Sequence, residues 1–313
     1  MLALSLDMGG THIACAVVDD EHIRASRTIS SAGAASLEAL LPQMEQTLRT
    51  LLQEANANAS SCIGMSMGFP GIIDIRSGRI ISTLKKYEDA KELNLDAWCR
   101  DAFGIPLRIE NDARMALLGE KHAGAARGID DVVMMTLGTG IGGAAMMQGR
   151  LLRGAHSQGG CLGGHFTVNW RGRKCACGNI GCAEAEASGW SLPQIIREDE
   201  GFEESSLSQA EILDFRMLFE EAQRGDALAI ATRQRCLEVW AANAVSLVHA
   251  YDPEVIVMGG GVMQSGDVIV PYVQKHVQSY AWTTWGTPKV CAAELGTDAA
   301  LLGAIPLLNE DLV

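Results

Sequence analysis

Two stretches of this chain follow one plan, and that plan constrains the fold more than any other feature. Leu2–Leu6 is a short apolar strand, Asp7-Met8-Gly9-Gly10-Thr11 a tight glycine turn, and Ile13–Val18 a second strand that His22–Ile29 continues. After Asp131 the pattern returns. Val132–Leu137 is a strand, Gly138-Thr139-Gly140 a turn and Ile141–Met147 a strand, within the run Leu137-Gly138-Thr139-Gly140-Ile141-Gly142-Gly143. A strand, glycine turn, strand unit that recurs in this way reads as a duplication, with α/β halves facing each other.

The intervening segments fit such halves. Ala35–Ala55 carries Leu37, Leu40, Leu41, Met44, Leu48, Leu51 and Leu52 at helical spacing, with Pro42 tolerable only in a first turn. Ile63–Met67 is a buried strand ending in a Gly68-Phe69-Pro70-Gly71 loop, and the helix Leu95–Phe103 is stopped by Gly104-Ile105-Pro106. Leu107–Ile109 is a strand running into Glu110-Asn111-Asp112, after which Ala113–Ala126 is helical. Further helices are expected near Leu207–Arg224, Ala227–Ala250, Val268–Ser279 and Asp298–Leu308, and the strand Glu254–Met258 opens into Gly259-Gly260-Gly261. A length of 313 residues suits two domains. We place them at 1–116, with 297–313 packing back on it, and 117–296. No low-complexity linker marks the junction, which points to a hinge rather than a tether.

The glycine turns carry chemistry as well as topology. Each exposes consecutive backbone N–H groups with no side chain in the way, a concavity suited to phosphate oxygens. Asp7, at the end of the first strand, is placed to hold Mg²⁺ through water. Two Gly-Thr turns and a third cluster at Gly259–Gly261 together point to a nucleotide. The Walker pattern with its Gly-Lys-Ser/Thr is absent, and a Rossmann fingerprint does not fit because a strand, not a helix, follows the glycines.

Between His165 and Cys182 the chain reads His165-Phe-Thr-Val-Asn-Trp-Arg-Gly-Arg-Lys-Cys175-Ala-Cys177-Gly-Asn-Ile-Gly-Cys182. One imidazole and three thiolates are the ligand set of a closed, tetrahedral structural zinc site. Gly178 and Gly181 let the backbone fold back so that the sulfurs of Cys175, Cys177 and Cys182 converge with His165. Three of the nine cysteines crowd eight positions, which makes chance clustering a poor explanation. The other six, Cys15, Cys62, Cys99, Cys161, Cys236 and Cys291, sit mostly in apolar contexts and read as small core residues. An odd number of cysteines in a chain this long is no disulfide framework, so a reducing cytoplasm is the expected location.

Charge and hydropathy exclude other classes. A net charge of −13 with no long basic run argues against a nucleic-acid or anionic-membrane surface. The apolar start is too short for a signal peptide, and no stretch reaches the roughly 18 apolar residues of a membrane span. An acidic protein that handles phosphates must build a local site from backbone amides, helix ends and Mg²⁺.

Glu110-Asn111-Asp112 sits where a strand ends and a helix begins, a usual place for active-site residues in α/β proteins. Asn111 or Asp112 also suits a helix N-cap. Beside nucleotide turns, a carboxylate there can be the base that accepts a hydroxyl proton during phosphoryl transfer.

Asp7-Met-Gly-Gly-Thr11, Glu110-Asn-Asp112, Leu137-Gly-Thr-Gly-Ile-Gly-Gly143, Gly149-x-Leu-x-x-Gly154, Gly164-His165 with the Cys-x-Cys-Gly-x-x-Gly-Cys-x-Glu184 loop, and Leu295-Gly-Thr-Asp-Ala-Ala-Leu-Leu-Gly-Ala304 occur in that order. The series covers essentially the whole chain and resembles the ROK family (repressors, open reading frames and kinases), which includes glucokinases, N-acylhexosamine kinases and allose kinases. The resemblance implies the actin-like ATPase (ribonuclease H-like) fold, two α/β domains closing over a cleft, and an ATP-dependent kinase for the 6-hydroxyl of a hexose or N-acylhexosamine. It implies that Asp112 is the general base and that Asn111, Glu184 and the second ring nitrogen of His165 contact the sugar. Gly9, Gly10, Thr11, Gly138, Thr139, Gly140, Gly260 and Gly261 would line the nucleotide. Gly68-Phe-Pro-Gly71 resembles the family loop that lies by the sugar, which adds Gly71, although a plain turn explains it equally well. Sugar and ATP with Mg²⁺ are the implied ligands; polyphosphate as donor stays open. A homodimer is the expected assembly, while Leu237, Trp240, Val245 and Leu247 fit a buried core as well as a dimer face. On this division of labour, zinc loss or Cys177→Ala is expected to weaken sugar binding through His165 and Glu184 more than nucleotide binding.

One departure stands out. Family kinases carry Gly-Glu-Ile-Gly-His ahead of the metal loop, where this chain has Gly160-Cys161-Leu162-Gly163-Gly164-His165. The glutamate's position is Leu162, or Cys161 if one glycine is inserted. Losing a charged acceptor costs about 1.5–3 kcal/mol if a sugar hydroxyl is still buried there. A different sugar at that end, a substitute group, or a catalytically weak sugar-binding or regulatory protein would each account for it. Family repressors place a winged helix-turn-helix before the first hairpin; with Asp7 so near the start, the expected reading is a kinase.

Overall fold

The computed structural model describes residues 1–83 and 87–310. Residues 311–313 of the expected 297–313 segment lie outside the described residues. Packing divides the chain into unit 1 (Met1–Gly128, Arg153–Cys161 and Thr297–Val313) and unit 2 (Ile129–Leu152 and Leu162–Gly296).

In unit 1, strands β1 (Leu2–Met8), β2 (His12–Val18) and β3 (Ile23–Ser30) form an antiparallel meander, and α1 (Leu41–Glu54) returns to β4 (Cys62–Phe69). A small hairpin, β5 (Gly71–Asp74) and β6 (Arg79–Thr83), is followed by α2 (Leu95–Phe103), β7 (Leu107–Asn111) and α3 (Asp112–Ala123). The five-stranded sheet has the order β3-β2-β1-β4-β7, with β4 parallel to both β1 and β7. Its core joins Leu4, Leu6, Ile13 and Met67 of the sheet to Met44, Leu48 and Leu51 of α1.

Two expected elements shift for local reasons. The first helix starts at Leu41, not Ala35, after a 3₁₀ turn at Glu38–Leu40, which leaves Pro42 in the first turn where its missing N–H does no harm. The expected Gly68–Gly71 loop shrinks to Pro70, because β4 stays paired with β7 through Phe69 and Asn111, and β5 begins at Gly71.

The C-terminal segment closes unit 1 with short helices at Ala299–Leu302 and Ala304–Asn309, so the single helix expected over Asp298–Leu308 is broken at Gly303. Glycines set this packing. A Cβ at Gly119 would lie 1.9 Å from the Ala299 carbonyl oxygen, and one at Gly303 would lie 2.3 Å from that of Met115. The backbones of α3 and the closing helices meet with no room for a side chain, which fixes where Asp112 starts its helix.

Unit 2 repeats the plan. Strands β8 (Val132–Leu137), β9 (Ile141–Met147) and β10 (Arg150–Leu151) form the meander. Then come α4 (Ala183–Ala187), α5 (Leu192–Arg197), α6 (Phe215–Arg224), α7 (Ala227–Tyr251), β11 (Val255–Gly259), α8 (Gly266–Tyr280) and β12 (Lys289–Ala292). The sheet order is β10-β9-β8-β11-β12, with β11 parallel to β8 and β12. The helix expected over Leu207–Arg224 starts at Phe215, because the Asp214 side chain caps it by accepting from the Met217 amide at 2.8 Å. Leu237, Trp240 and Leu247 are buried in this unit's core, with Val245 packed against it. No helix among the described residues is long and apolar enough to cross a membrane.

Candidate functional site

Parallel strands put their carboxyl ends together, and unit 1 places its polar residues there. Register aligns Asp7 with Gly68 and Gly68 with Glu110 across β1, β4 and β7, with Phe69 opposite Asn111. At the strand-to-helix corner Asn111 is the N-cap of α3, its Oδ1 accepting from the Arg114 amide at 3.2 Å. Its amide nitrogen donates to the Gly71 carbonyl at 3.2 Å and to Asp112 Oδ1 at 3.0 Å. Asn111, Asp112 and Gly71 are therefore brought together. A Cβ at Gly71 would lie 2.1 Å from the Ser82 carbonyl oxygen, so the hairpin fixes that contact.

The electrostatics of this corner are uneven. Burial pushes the Asp112 carboxyl up to about 6, against hydrogen bonds from the Ala113 amide and Asn111. Burial, then the charge of Asp112, push Asp7 up to about 7. Beside Asp7, Gly9 donates to the His12 carbonyl at 2.9 Å, and a Cβ there would lie 2.6 Å from that oxygen. Tyr87 Oη donates to the Gly9 carbonyl at 3.0 Å, while Gly10 and Thr11 are exposed at the turn's tip.

An ion network that the sequence did not reveal anchors the corner from behind. Glu110 and Arg114, both fully buried, pair at 3.1 Å, and Arg153 reaches the other Glu110 oxygen at 2.7 Å while also pairing with Glu310. Arg114 further donates to the carbonyls of Ser157 and Gly159, which ties Arg153–Cys161 to α3. An arginine four positions after Glu110, just ahead of the apolar run Met115–Leu118, was the available signal. Replacing Arg114 by Met leaves Glu110 short of its partner, and breaking one side of a buried pair costs about 3–5 kcal/mol. The expected result is a much lower urea midpoint with an unchanged slope; a shift equivalent to under about 1 kcal/mol would contradict it.

Cys161, at the end of that loop, is partly buried; burial raises its thiol pKa, and Arg114, Glu110 and Asp112 all act on it electrostatically. Leu162 is half-buried and falls in unit 2. Cys161, one of the two positions that count as the missing glutamate, lies near enough to feel Asp112's charge.

Unit 2 gathers the remaining glycines. A Cβ at Gly260, with φ +91°, would lie 2.2 Å from the Leu137 carbonyl oxygen, so the third cluster packs on the backbone of the second turn. Gly138, Thr139 and Gly261 line a cavity of about 840 Å³. Phe215, Phe219, Gln223 and Arg233 line it too. The Arg233 Nε is buried without a hydrogen-bond partner, and its guanidinium carbon lies 6.0 Å from the Phe219 ring centroid.

His165, Cys175, Cys177 and Cys182 bring one ligand atom each to within 4.8 Å of one another. The Cys177 and Cys182 sulfurs are 3.7 Å apart and Cys175 Sγ is 3.6 Å from His165 Nδ1. A tetrahedron with metal–sulfur bonds of about 2.3 Å has edges of about 3.7 Å, so the set fits zinc. The Asn179 amide donates to Cys182 Sγ at 3.4 Å, an outer-shell contact of the kind that orients a ligand. Gly181 has φ +71° and a Cβ there would fall 1.5 Å from the Asn169 carbonyl oxygen. Glu184 does not stand free: its carboxylate accepts from the Ile141 amide at 3.0 Å and the Trp190 indole at 3.3 Å.

Comparison with known proteins follows the same lines. The profile described as ROK family matches residues 3–311. A glucokinase from Thermotoga maritima is 32% identical, over 98% of this chain and 97% of its own. Among solved structures, a ROK hexokinase from Thermus thermophilus superposes with a TM-score of 0.79 at 31% identity, covering 97% of this chain and 96% of the other. A ROK family glucokinase from Streptomyces griseus, in complex with glucose and AMPPNP, gives 0.80 at 26% identity, covering 97% of each chain.

Proposed function

This chain belongs to the ROK family and has the actin-like ATPase fold, and from that premise we propose that it is a sugar kinase, transferring the terminal phosphoryl group of ATP to the 6-hydroxyl of a hexose or N-acylhexosamine. The observation that carries the reading is Asp112, a carboxylate at the carboxyl end of β7 whose pKa of about 6 suits a base at neutral pH. Asp112 accepts the proton of the sugar hydroxyl as its oxygen attacks phosphorus. Asn111, hydrogen-bonded to Asp112, orients that carboxylate and offers its amide to a neighbouring hydroxyl. His165, with Nδ1 turned to the metal cluster, keeps Nε2 for the sugar. The thermophile and Streptomyces glucokinases support glucose as the first sugar to try.

Unit 2 supplies the donor pocket. Backbone amides of Gly138–Gly140 and Gly260–Gly261 meet phosphate oxygens, and a cavity of about 840 Å³ accommodates a nucleoside triphosphate. Bound Mg²⁺ would neutralise phosphate charge, with Asp7 holding it through water. Bound zinc, with four protein ligands, would leave no open position and so would be structural. Arg233, which lines the cavity and whose Nε has no partner, is assigned to the nucleoside end in this reading. Arg233→Ala is expected to raise KM for ATP roughly three- to thirtyfold with little change in kcat. Steady-state kinetics with ATP varied at saturating sugar checks this, and an unchanged KM would remove Arg233 from donor recognition.

The deciding experiment is incubation with ATP, Mg²⁺ and a panel of hexoses and N-acylhexosamines, following ADP and sugar phosphate. A panel that stays inert while the protein retains zinc overturns the kinase reading. Cys161 and Leu162, in place of the family glutamate, favour a second reading as a catalytically weak sugar-binding protein. Calorimetry separates the two, since sugar binding without turnover supports the second.

A further inference from the structure

The metal loop and the donor turn of unit 2 share one residue, Ile141. It ends the Gly138–Gly140 turn and opens β9. From one flank of the metal cluster, Gly164, next to the ligand His165, packs so closely that a Cβ there would lie 1.9 Å from the Ile141 carbonyl oxygen. From the other flank Glu184, two residues beyond the ligand Cys182, accepts the Ile141 amide at 3.0 Å. The flanks are tied together by the Ala183 amide donating to the Phe166 carbonyl at 3.0 Å.

The contact continues along the turn. The Gly189 amide donates to the Gly138 carbonyl at 2.9 Å, and the Trp190 amide to the Thr139 carbonyl at 2.9 Å. The Trp190 indole returns to Glu184, which closes a ring from Glu184 through Ile141 and Thr139 of the turn to Trp190 and back. A Cβ at Gly140 would lie 2.5 Å from Glu184 Oε2, so a side chain there would displace the carboxylate. A glycine turn held by its own hairpin alone has many conformations. This one is held at Gly138, Thr139 and Ile141 from outside.

We propose that Glu184 is a positioning residue for the donor's phosphates: anchored by the metal cluster, it fixes the Gly138–Gly140 turn in its binding shape. The proposal rests on the kinase reading, in which that turn meets the phosphates. It does not displace Glu184 from the sugar, since a carboxylate has about four lone-pair positions and two are taken here.

The test compares wild type, Glu184→Ala and Glu184→Gln in zinc content, in amide exchange over residues 137–143, and in affinity for the non-hydrolysable ATP analogue AMPPNP without sugar. Glu184→Ala is expected to keep its zinc, to exchange faster over 137–143, and to bind the analogue about tenfold or more weakly. Glu184→Gln keeps an acceptor oxygen for the Ile141 amide and is expected to bind within about threefold of wild type. If Glu184→Ala unfolds, Trp190→Phe, which removes the indole donor to Glu184 and keeps an aromatic ring, is expected to show the same exchange change on a smaller scale. Glu184→Ala with wild-type exchange and affinity overturns the proposal, as does a variant that loses sugar affinity alone. Wild type that binds no nucleotide overturns the kinase reading and this proposal with it, whereas wild type and Glu184→Ala binding equally well overturns this proposal only.

Discussion

Asp112→Asn is expected to lower kcat by about 10²–10⁴-fold while sugar and nucleotide still bind. The substitution keeps the size of the side chain and an oxygen to accept from the Ala113 amide, so α3 keeps its start. What it removes is the ability to take a proton. With the carboxyl raised to about 6, wild-type kcat/KM is expected to fall about tenfold per pH unit below that value, and the variant's residual rate to lack this limb. Stability moves the other way. A carboxyl whose folded pKa lies above its unfolded value of 3.8 favours the fold below that value and loses that contribution as pH rises through about 6. Wild type therefore carries an ionised, partly buried Asp112 at pH 8, and Asn there is expected to raise the melting midpoint at pH 8 and much less at pH 4. Asp7, raised to about 7 in part by Asp112's charge, is relieved by the same substitution. A rate held within tenfold of wild type would exclude Asp112 as the base.

What could be read from the sequence follows from how local the signal was. The strand, glycine turn, strand repeat needs only neighbours in the chain, and both meanders lie where it placed them. The Glu110–Asp112 corner was visible for the same reason, as an apolar strand ending in polar residues. The β5–β6 hairpin escaped notice because its strands are short and lack clear alternation. The Arg114 network escaped because, apart from the neighbouring Glu110, its partners Ser157, Gly159 and, through Arg153, Glu310 come from two distant segments. The cavity of unit 2 is similar: Phe219, Arg233 and Gly261 line it together only once α6, α7 and the segment after β11 have packed. Glu184 shows the limit most clearly. Spacing from Cys182 put a carboxylate on the metal loop, but its partner, Ile141, lies 43 positions earlier.

That partner changes the expected consequence of metal removal. Structural zinc can contribute on the order of 10 kcal/mol to the segment it closes. Without the metal, His165, Cys175, Cys177 and Cys182 bring mutually repelling thiolates or unsatisfied thiols to one point, so the loop has no reason to stay closed. Of the four, Cys182 is fully buried and Cys177 exposed, so Cys182→Ala disturbs packing as well as ligation, and Cys177→Ala is the cleaner variant. From the sequence alone, zinc loss is expected to weaken sugar binding more than nucleotide binding. Because Gly164 and Glu184 grip Ile141 from both ends of the cluster, chelation or Cys177→Ala is expected to weaken both, with proteolytic cuts appearing between 165 and 190. Nucleotide affinity that survives complete zinc loss, beside a lost sugar affinity, would separate the donor turn from the metal and leave the loop serving the sugar alone.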